Sequence, residues 1–362
     1  MKRTKTKTKT KTKTKTNTKT KTKNAKHIVV AVVALVLLVC AVSGLLVLRG
    51  QKMANREEVK IFIPTGSDYA AVVDSLDAHG CIGNHAVFNS MARLRQYRDN
   101  VKGGCYILKP QAPVWSVLTK LYYGNQDAVK VVINKHRMKK QLCDYLDQRL
   151  EMNGDTLLKM LNDDSVCASY GHTPLTIIAM FPQNTYELYW NTTPQKLLGR
   201  MQKESDRFWS KKRMAKCKAL NLTADEVVTL ASIVEEETNK NDEKADIASV
   251  YLNRIRKGML LQADPTLKYA VGDFSIRRLL NKHMEIESPY NTYKHRGLPP
   301  GPICIPSAAS IDAVLQNKQT DYLYFCARAD FSGRHAFATT LAQHNANAAA
   351  FHAEMNKRKI YK

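Results

Sequence analysis

The stretch Thr223-Ala-Asp-Glu-Val-Val-Thr-Leu-Ala-Ser-Ile-Val-Glu-Glu-Glu-Thr238 organises the reading of the chain. Thr223, followed by Glu226 ahead of an apolar run, is a capping-box pattern that predicts a helix starting there and carrying Val227 to Thr238. At roughly 100° per residue, Val227, Val228, Leu230, Ala231, Ile233 and Val234 cover one broad face, and Glu236 falls opposite it. Glu235 projects between Ala231 and Val228, and Glu237 between Leu230 and Ile233. Two carboxylates therefore lie within the face a helix normally buries. Burial of a carboxylate must be offset by pairing or by retention of its proton, and a neutral carboxylic acid near neutral pH is what a general acid has to be. The plain structural alternative ties either glutamate to Arg254, Arg256 or backbone amides.

Outward from that helix, 247–257 reads as a second helix ending at Gly258, and 307–316 as a short third one. Polar groups cluster on the loops between and after them: Asn253, Gln262 with Asp264, Tyr290 with Asn291, and Gly297-Leu-Pro-Pro-Gly-Pro-Ile303. Amides, hydroxyls and aromatic rings on loops suit a carbohydrate cleft, although singly such residues also just make turns. Tyr322-Leu-Tyr-Phe-Cys326 predicts a buried strand, with a turn at Ser332-Gly333 before His335-Ala-Phe337. On the N-terminal side, 59–63 and 105–108 read as strands flanking helices at 70–79 and 86–97, a small α+β unit over about 57–125. A further strand is expected at 129–133, then a helix-rich stretch over 138–160 broken near Asn153-Gly154. The expected class is α+β.

The formal charge is +24, but residues 1–27 hold 12 of the 56 Lys and Arg and no acid, which leaves +12 on the remainder. The almost strict Lys-Thr alternation has no side chains to build a core, so 1–27 is expected to be a disordered basic tail. Residues 28–48 carry no charge and match a bilayer core in length, which predicts a transmembrane helix. The run is long for a signal peptide and lacks a small-x-small cleavage site. The positive charges before it place the N-terminus in the cytoplasm and everything after it outside the cytoplasmic (inner) membrane, on the periplasmic side. The lysine tail is then on the wrong side to make the folded part a nucleic-acid binder. Eight scattered cysteines without a C-x-x-C predict no metal site and no cofactor, and read best as buried, reduced small hydrophobes. With hydrophobic residues at 44%, the chain can fill two folded domains.

Several stretches resemble the YceG-like family of endolytic murein transglycosylases: Ala231-Ser-Ile-Val-Glu-Glu-Glu-Thr238, Val250-Tyr-Leu-Asn-Arg-Ile255, Leu261-Gln-Ala-Asp-Pro-Thr266, Ser288-Pro-Tyr-Asn-Thr-Tyr293, the 297–303 loop, and Tyr322-Leu-Tyr-Phe325 with His335-Ala-Phe337 and His344-Asn345. Phe181-Pro-Gln-Asn-Thr-Tyr-Glu187 matches an upstream motif of the same family. The resemblance implies a LysM-like α+β subdomain over 49–130, a connecting part over 131–220 and a mixed α/β catalytic domain over 221–362. It implies cleavage of the bond between N-acetylmuramic acid and N-acetylglucosamine within glycan strands, leaving 1,6-anhydro ends, with nascent strands trimmed or terminated. It places the catalytic acid and base at Glu235 and a supporting role at Glu237, while Asn253, Gln262, Asp264, Tyr290 and Asn291, among the clustered loop groups, are the candidates for binding substrate by orienting sugar and acetamido groups. Peptidoglycan glycan strands are the implied partner, with peptidoglycan synthases and division proteins as neighbours.

Other readings compete with this one. A non-catalytic wall-binding or division scaffold would use the same fold with Glu235 merely structural. A hydrolase using both Glu235 and Glu237 is awkward, because two residues apart on a helix they point roughly 160° apart.

Overall fold

The computed structural model describes residues 16–276 and 279–358. The chain divides after Asp127 into two compact units.

The first unit opens with the long helix α1 (Thr16–Arg49), in which Lys26–Gly44 is long and apolar enough to cross a membrane and has none of its surface buried. The helix reaches back to Thr16, so the tail expected to be disordered is helical over 16–27, while 1–15 lies outside the described residues. Extending a helix costs far less than nucleating one, and the apolar span supplies the nucleus. Behind it come β1 (Val59–Ile63), α2 (Tyr69–Ala78), α3 (His85–Leu94), β2 (Gly104–Leu108) and α4 (Val114–Tyr123). The strands pair antiparallel, with Val59 opposite Leu108 and Ile63 opposite Gly104. The alternation in Val-Lys-Ile-Phe-Ile turns Ile61 and Ile63 inward, where they meet Val72, Leu76, Phe88, Met91 and Leu118 in one core. Asp68 and Asn84 cap α2 and α3 by accepting from Ala71 N and Val87 N.

The second unit begins with β3 (Ala128–Ile133), which pairs antiparallel with β4 (Asn184–Tyr189). Between them run α5 (Lys139–Asp147), α6 (Gly154–Met160) and α7 (Asp164–Ser169), the break at Asn153 being the N-cap of α6. Then follow α8 (Pro194–Phe208), α9 (Lys211–Leu220), α10 (Ala224–Glu237), α11 (Lys244–Arg256), α12 (Asp264–Val271), α13 (Asn281–Met284) and α14 (Ala308–Gln316). A hairpin of β5 (Tyr324–Ala327) and β6 (His335–Ala338) and the final helix α15 (Leu341–Lys357) complete it. The strand expected to be buried at 322–326 is instead β5, a two-stranded element with its first three residues only half-buried. It pairs on one side alone, with β6, and cannot be enclosed as an inner strand would be.

Helix α10 is the axis of this unit. The capping box forms as the sequence predicts: Thr223 Oγ1 accepts from Glu226 N at 3.2 Å and Glu226 Oε2 accepts from Thr223 N at 2.7 Å. Every residue from Val227 to Val234 is buried, packed against Ile247 and Tyr251 of α11, Ile311 and Val314 of α14, and Ile303. All eight cysteines are unpaired thiols, six of them buried.

Candidate functional site

Three consecutive carboxylates end α10, and the structure gives each a different environment. Glu235 Oε2 accepts from Lys244 Nζ at 2.9 Å and from Ser307 Oγ at 2.6 Å, and a short hydrogen bond from Ser310 Oγ completes the cluster. Burial raises its pKa, but the two hydroxyls and the ammonium outweigh that, so it titrates below the ordinary glutamate range. Glu235 is an ionised, paired carboxylate. Glu236, which the helical wheel places opposite the apolar face, is not solvated: Arg137 grips it with Nε at 2.9 Å and Nη2 at 2.8 Å, and Lys135 stands 3.4 Å away. The wheel counts one helix only, whereas β3 leads directly into a basic segment that covers this side.

Glu237 behaves differently. It lines a cavity of about 320 Å³ with Tyr251, Arg254, Leu261, Gln262, Asp264, Tyr293, Phe325 and His344. Desolvation pushes its pKa up to about 7, Tyr251 opposes that by donating to Oε1 at 2.5 Å, and the nearby charge of Asp264 adds to the rise. Glu237 therefore holds a proton near neutral pH with open space beside it, which is the state required of a general acid.

The cavity wall is stiff. Arg254 Nε donates to Leu323 O at 2.7 Å, and Nη1 donates to Leu260 O, Leu261 O and Gln262 Oε1 at 3.0–3.1 Å. One planar guanidinium thus ties α11 to the segment before α12 and to the lead-in of β5. Gln262 has a φ of 50°, a left-handed conformation held by that contact and by its N–H to Thr292 O at 3.1 Å. Tyr293 donates to Asp264 Oδ1 at 2.5 Å. His344 stacks on Tyr324 with ring centroids 5.4 Å apart, its Nδ1 is buried without a hydrogen-bond partner, and burial with the Arg254 charge lowers its pKa. Its surroundings favour the neutral imidazole.

Of the residues singled out from sequence, the cavity brings together Glu237, Gln262 and Asp264. Glu235, Asn253, Tyr290 and Asn291 are not among its lining residues. Asn253 donates to Thr320 O and Tyr322 O. Asn291 is fully buried and donates to Met284 O and Ile286 O while accepting from Tyr293 N. Tyr290 packs on Tyr269 with centroids 4.7 Å apart. These three shape the loops that carry the lining. Tyr251, Tyr293, Phe325 and His344 line the cavity without having been singled out, though all lie within stretches that carry the resemblance. Among the described residues no group of three or more His, Cys, Asp or Glu could hold a metal ion.

Fold and cavity together define an α+β protein with a polar, aromatic-edged cleft built around one proton-bearing carboxyl. Residues 61–350 match the YceG-like family, and the chain belongs to it. It is 30% identical over 316 residues to a protein of Bacillus subtilis named endolytic murein transglycosylase, covering 80% of this chain and 84% of that one. A Streptococcus pneumoniae protein of the same name is 26% identical over 325 residues, 82% of this chain but 58% of that longer protein. Among solved structures, a YceG-like protein from Listeria monocytogenes superposes with a TM-score of 0.54 at 29% identity, over 81% of this chain and 99% of that one.

Proposed function

We propose that this chain is an endolytic murein transglycosylase, a lyase that cuts peptidoglycan glycan strands internally, and that Glu237 is its acid and base. The single observation that carries the assignment is the contrast along one helix end. Glu235 is ionised and occupied by Lys244, Ser307 and Ser310, whereas Glu237 keeps its proton to about pH 7 and borders the cavity. The resemblance to the family motif Ala231-Ser-Ile-Val-Glu-Glu-Glu-Thr238 favoured Glu235. The physical argument favours Glu237, because Glu235 titrates below its ordinary range with four donors on one oxygen, Lys244 Nζ, Ser307 Oγ, Ser307 N and Ser310 Oγ, which stabilises the charged form and not the acid.

In the first step Glu237 donates its proton to the glycosidic oxygen between N-acetylmuramic acid and N-acetylglucosamine, and the C1–O bond breaks through an oxocarbenium-like state. In the second, the C6 hydroxyl of the same muramic residue attacks C1 and returns its proton to the Glu237 carboxylate. The nucleophile is part of the substrate, so its effective concentration is high and no second carboxylate has to activate water. The product is a 1,6-anhydro end and the acid is regenerated. Gln262 and Asp264, with the rings of Tyr293 and Phe325, are placed to meet sugar amides, hydroxyls and faces.

The membrane helix, with the lysine-rich residues on its cytoplasmic side, would hold the cleft outside the cytoplasmic membrane, near newly made glycan, its synthases and the division machinery. The β-α-α-β first unit fits a LysM-like role in gripping the strand.

The test is mass spectrometry of isolated glycan strands digested with the full-length protein in detergent, beside Glu237→Gln and Glu235→Gln. The expected result is anhydro-ended fragments from the native protein and from Glu235→Gln, and none from Glu237→Gln. Native turnover by Glu237→Gln would overturn the assignment. Reducing-end fragments would make the protein a hydrolase, and no fragments from any sample would favour the wall-binding scaffold.

A further inference from the structure

The Tyr251 phenol lies against the proposed acid from the neighbouring helix. Tyr251 is 2% exposed and its ring meets Phe325 edge-on, with centroids 5.9 Å apart and planes at 89°. Its O–H donates to Glu237 Oε1 at 2.5 Å. In a neutral carboxyl the carbonyl oxygen is the better acceptor, so an oxygen already receiving a hydrogen bond is the one that does not carry the proton. We propose that Tyr251 is a positioning residue: its hydroxyl fixes the Glu237 carboxyl so that the transferable proton sits on Oε2, and the same bond steadies the carboxylate between the two half-reactions. This rests on the reading of Glu237 as the acid.

The hydroxyl is suited to that task because burial, and then the Glu237 charge, push its titration well above the ordinary tyrosine range. It stays a donor throughout the working pH range. The other groups that face Glu237 act through their fields: Asp264 and Lys268 from α12 and Glu236 from its own helix. Arg254 from α11, Tyr293 from the 288–293 loop and His344 from α15 share the cavity wall. None of these charges sets which carboxyl oxygen holds the proton, since a field acts on both oxygens nearly alike, whereas a hydrogen bond distinguishes them.

The experiment uses the full-length protein in detergent and follows release of anhydro ends from isolated glycan strands between pH 5 and pH 9, separating kcat from KM. Tyr251→Phe removes a bond made to the charged carboxylate, so the Glu237 pKa rises and the alkaline limb of the kcat profile moves up by about one pH unit. The loss of proton placement lowers kcat about tenfold to a hundredfold at the optimum, with KM little changed. Incorporation of 3-fluorotyrosine at 251 keeps the ring and strengthens the donor, so it moves the limb the opposite way, and it remains informative if Tyr251→Phe folds poorly. A limb that stays in place in both variants, while Glu237→Gln is inactive, overturns the positioning role and leaves the acid assignment standing. Turnover by Glu237→Gln overturns the acid assignment itself.

Discussion

Lys244 reaches from α11 to set its Nζ 2.9 Å from Glu235 Oε2, with 5% and 14% of the two side chains exposed. An ion pair so enclosed is most costly to break from one side, since the partner is left charged and without a counter-ion. Glu235→Gln should therefore lower the stability of the second unit by about 3 kcal/mol at neutral pH, as read by denaturant unfolding. Because the folded-state pKa of Glu235 lies below its ordinary value, its contribution is present above the unfolded pKa and lost as pH falls through the folded one. The gap between native and variant should narrow in strongly acidic buffer. A gap that does not depend on pH would show that Lys244 is not the source of the stabilisation.

Glu237 carries the opposite sign. Its folded pKa of about 7 stands above the unfolded value, so the folded protein binds the proton more tightly and loses stability as pH rises from the ordinary glutamate range through about 7. Glu237→Gln removes the titration while keeping an acceptor for the Tyr251 hydroxyl. At pH 8 it should be more stable than the native protein by about 2 kcal/mol, a gain that disappears near pH 4. A stabilised but inactive variant is the expected signature of a residue kept for chemistry at the expense of the fold. Equal stability at both pH values would remove the case for a desolvated acid at this position.

The helix that carries these residues was legible because its start, its apolar face and its length are local properties. The capping box of Thr223 and Glu226 and the burial of 227–234 follow from spacing alone. What each glutamate does at the helix end was not legible, because the deciding partners come from other elements, some of them distant in sequence: Lys244, Ser307 and Ser310 for Glu235, Arg137 for Glu236, Tyr251 and Asp264 for Glu237. A wheel showed that two of the three fall toward the interior and could not say which would find a cation there. Strand β4 was hidden for a similar reason, since Asn184-Thr-Tyr-Glu-Leu-Tyr189 acquires its register only against β3, some fifty residues earlier. Helices α8 and α9 were readable in principle, with Thr193 and Ser210 as N-caps, but their polar faces weaken the apolar pattern.

The Pro-Gly loop at 297–303 has a steric role. A Cβ built on Gly301 would stand 2.2 Å from Leu175 O and 2.9 Å from Leu175 C, backbone atoms that cannot turn aside. Gly301→Ala should cost about 1–3 kcal/mol and shift the loop that follows, where Ile303 N donates to Ser232 Oγ at 3.0 Å on α10. Hydrogen exchange at the Ile303 amide would report the shift. Protection equal to that of the native protein would show that the 173–176 segment yields instead.

Arg254 offers the sharpest separation of geometry from charge. The residue is 8% exposed, and its guanidinium donates through Nε to Leu323 O and through Nη1 to the Leu260 O, Leu261 O and Gln262 Oε1 group of acceptors. Lysine at 254 preserves the positive charge beside the cavity but presents a point donor on a flexible stem, so it cannot span both the 260–262 segment and Leu323. Gln262, held at a φ of 50°, would lose the contact that keeps its side chain on the cavity wall. Arg254→Lys should therefore raise KM and lower kcat/KM about tenfold to a hundredfold, while leaving the alkaline limb set by Glu237 nearly in place. If the variant instead kept native kcat/KM, the guanidinium would be acting by its charge alone, and the cavity would owe its shape to the packing of Leu261 and Phe325.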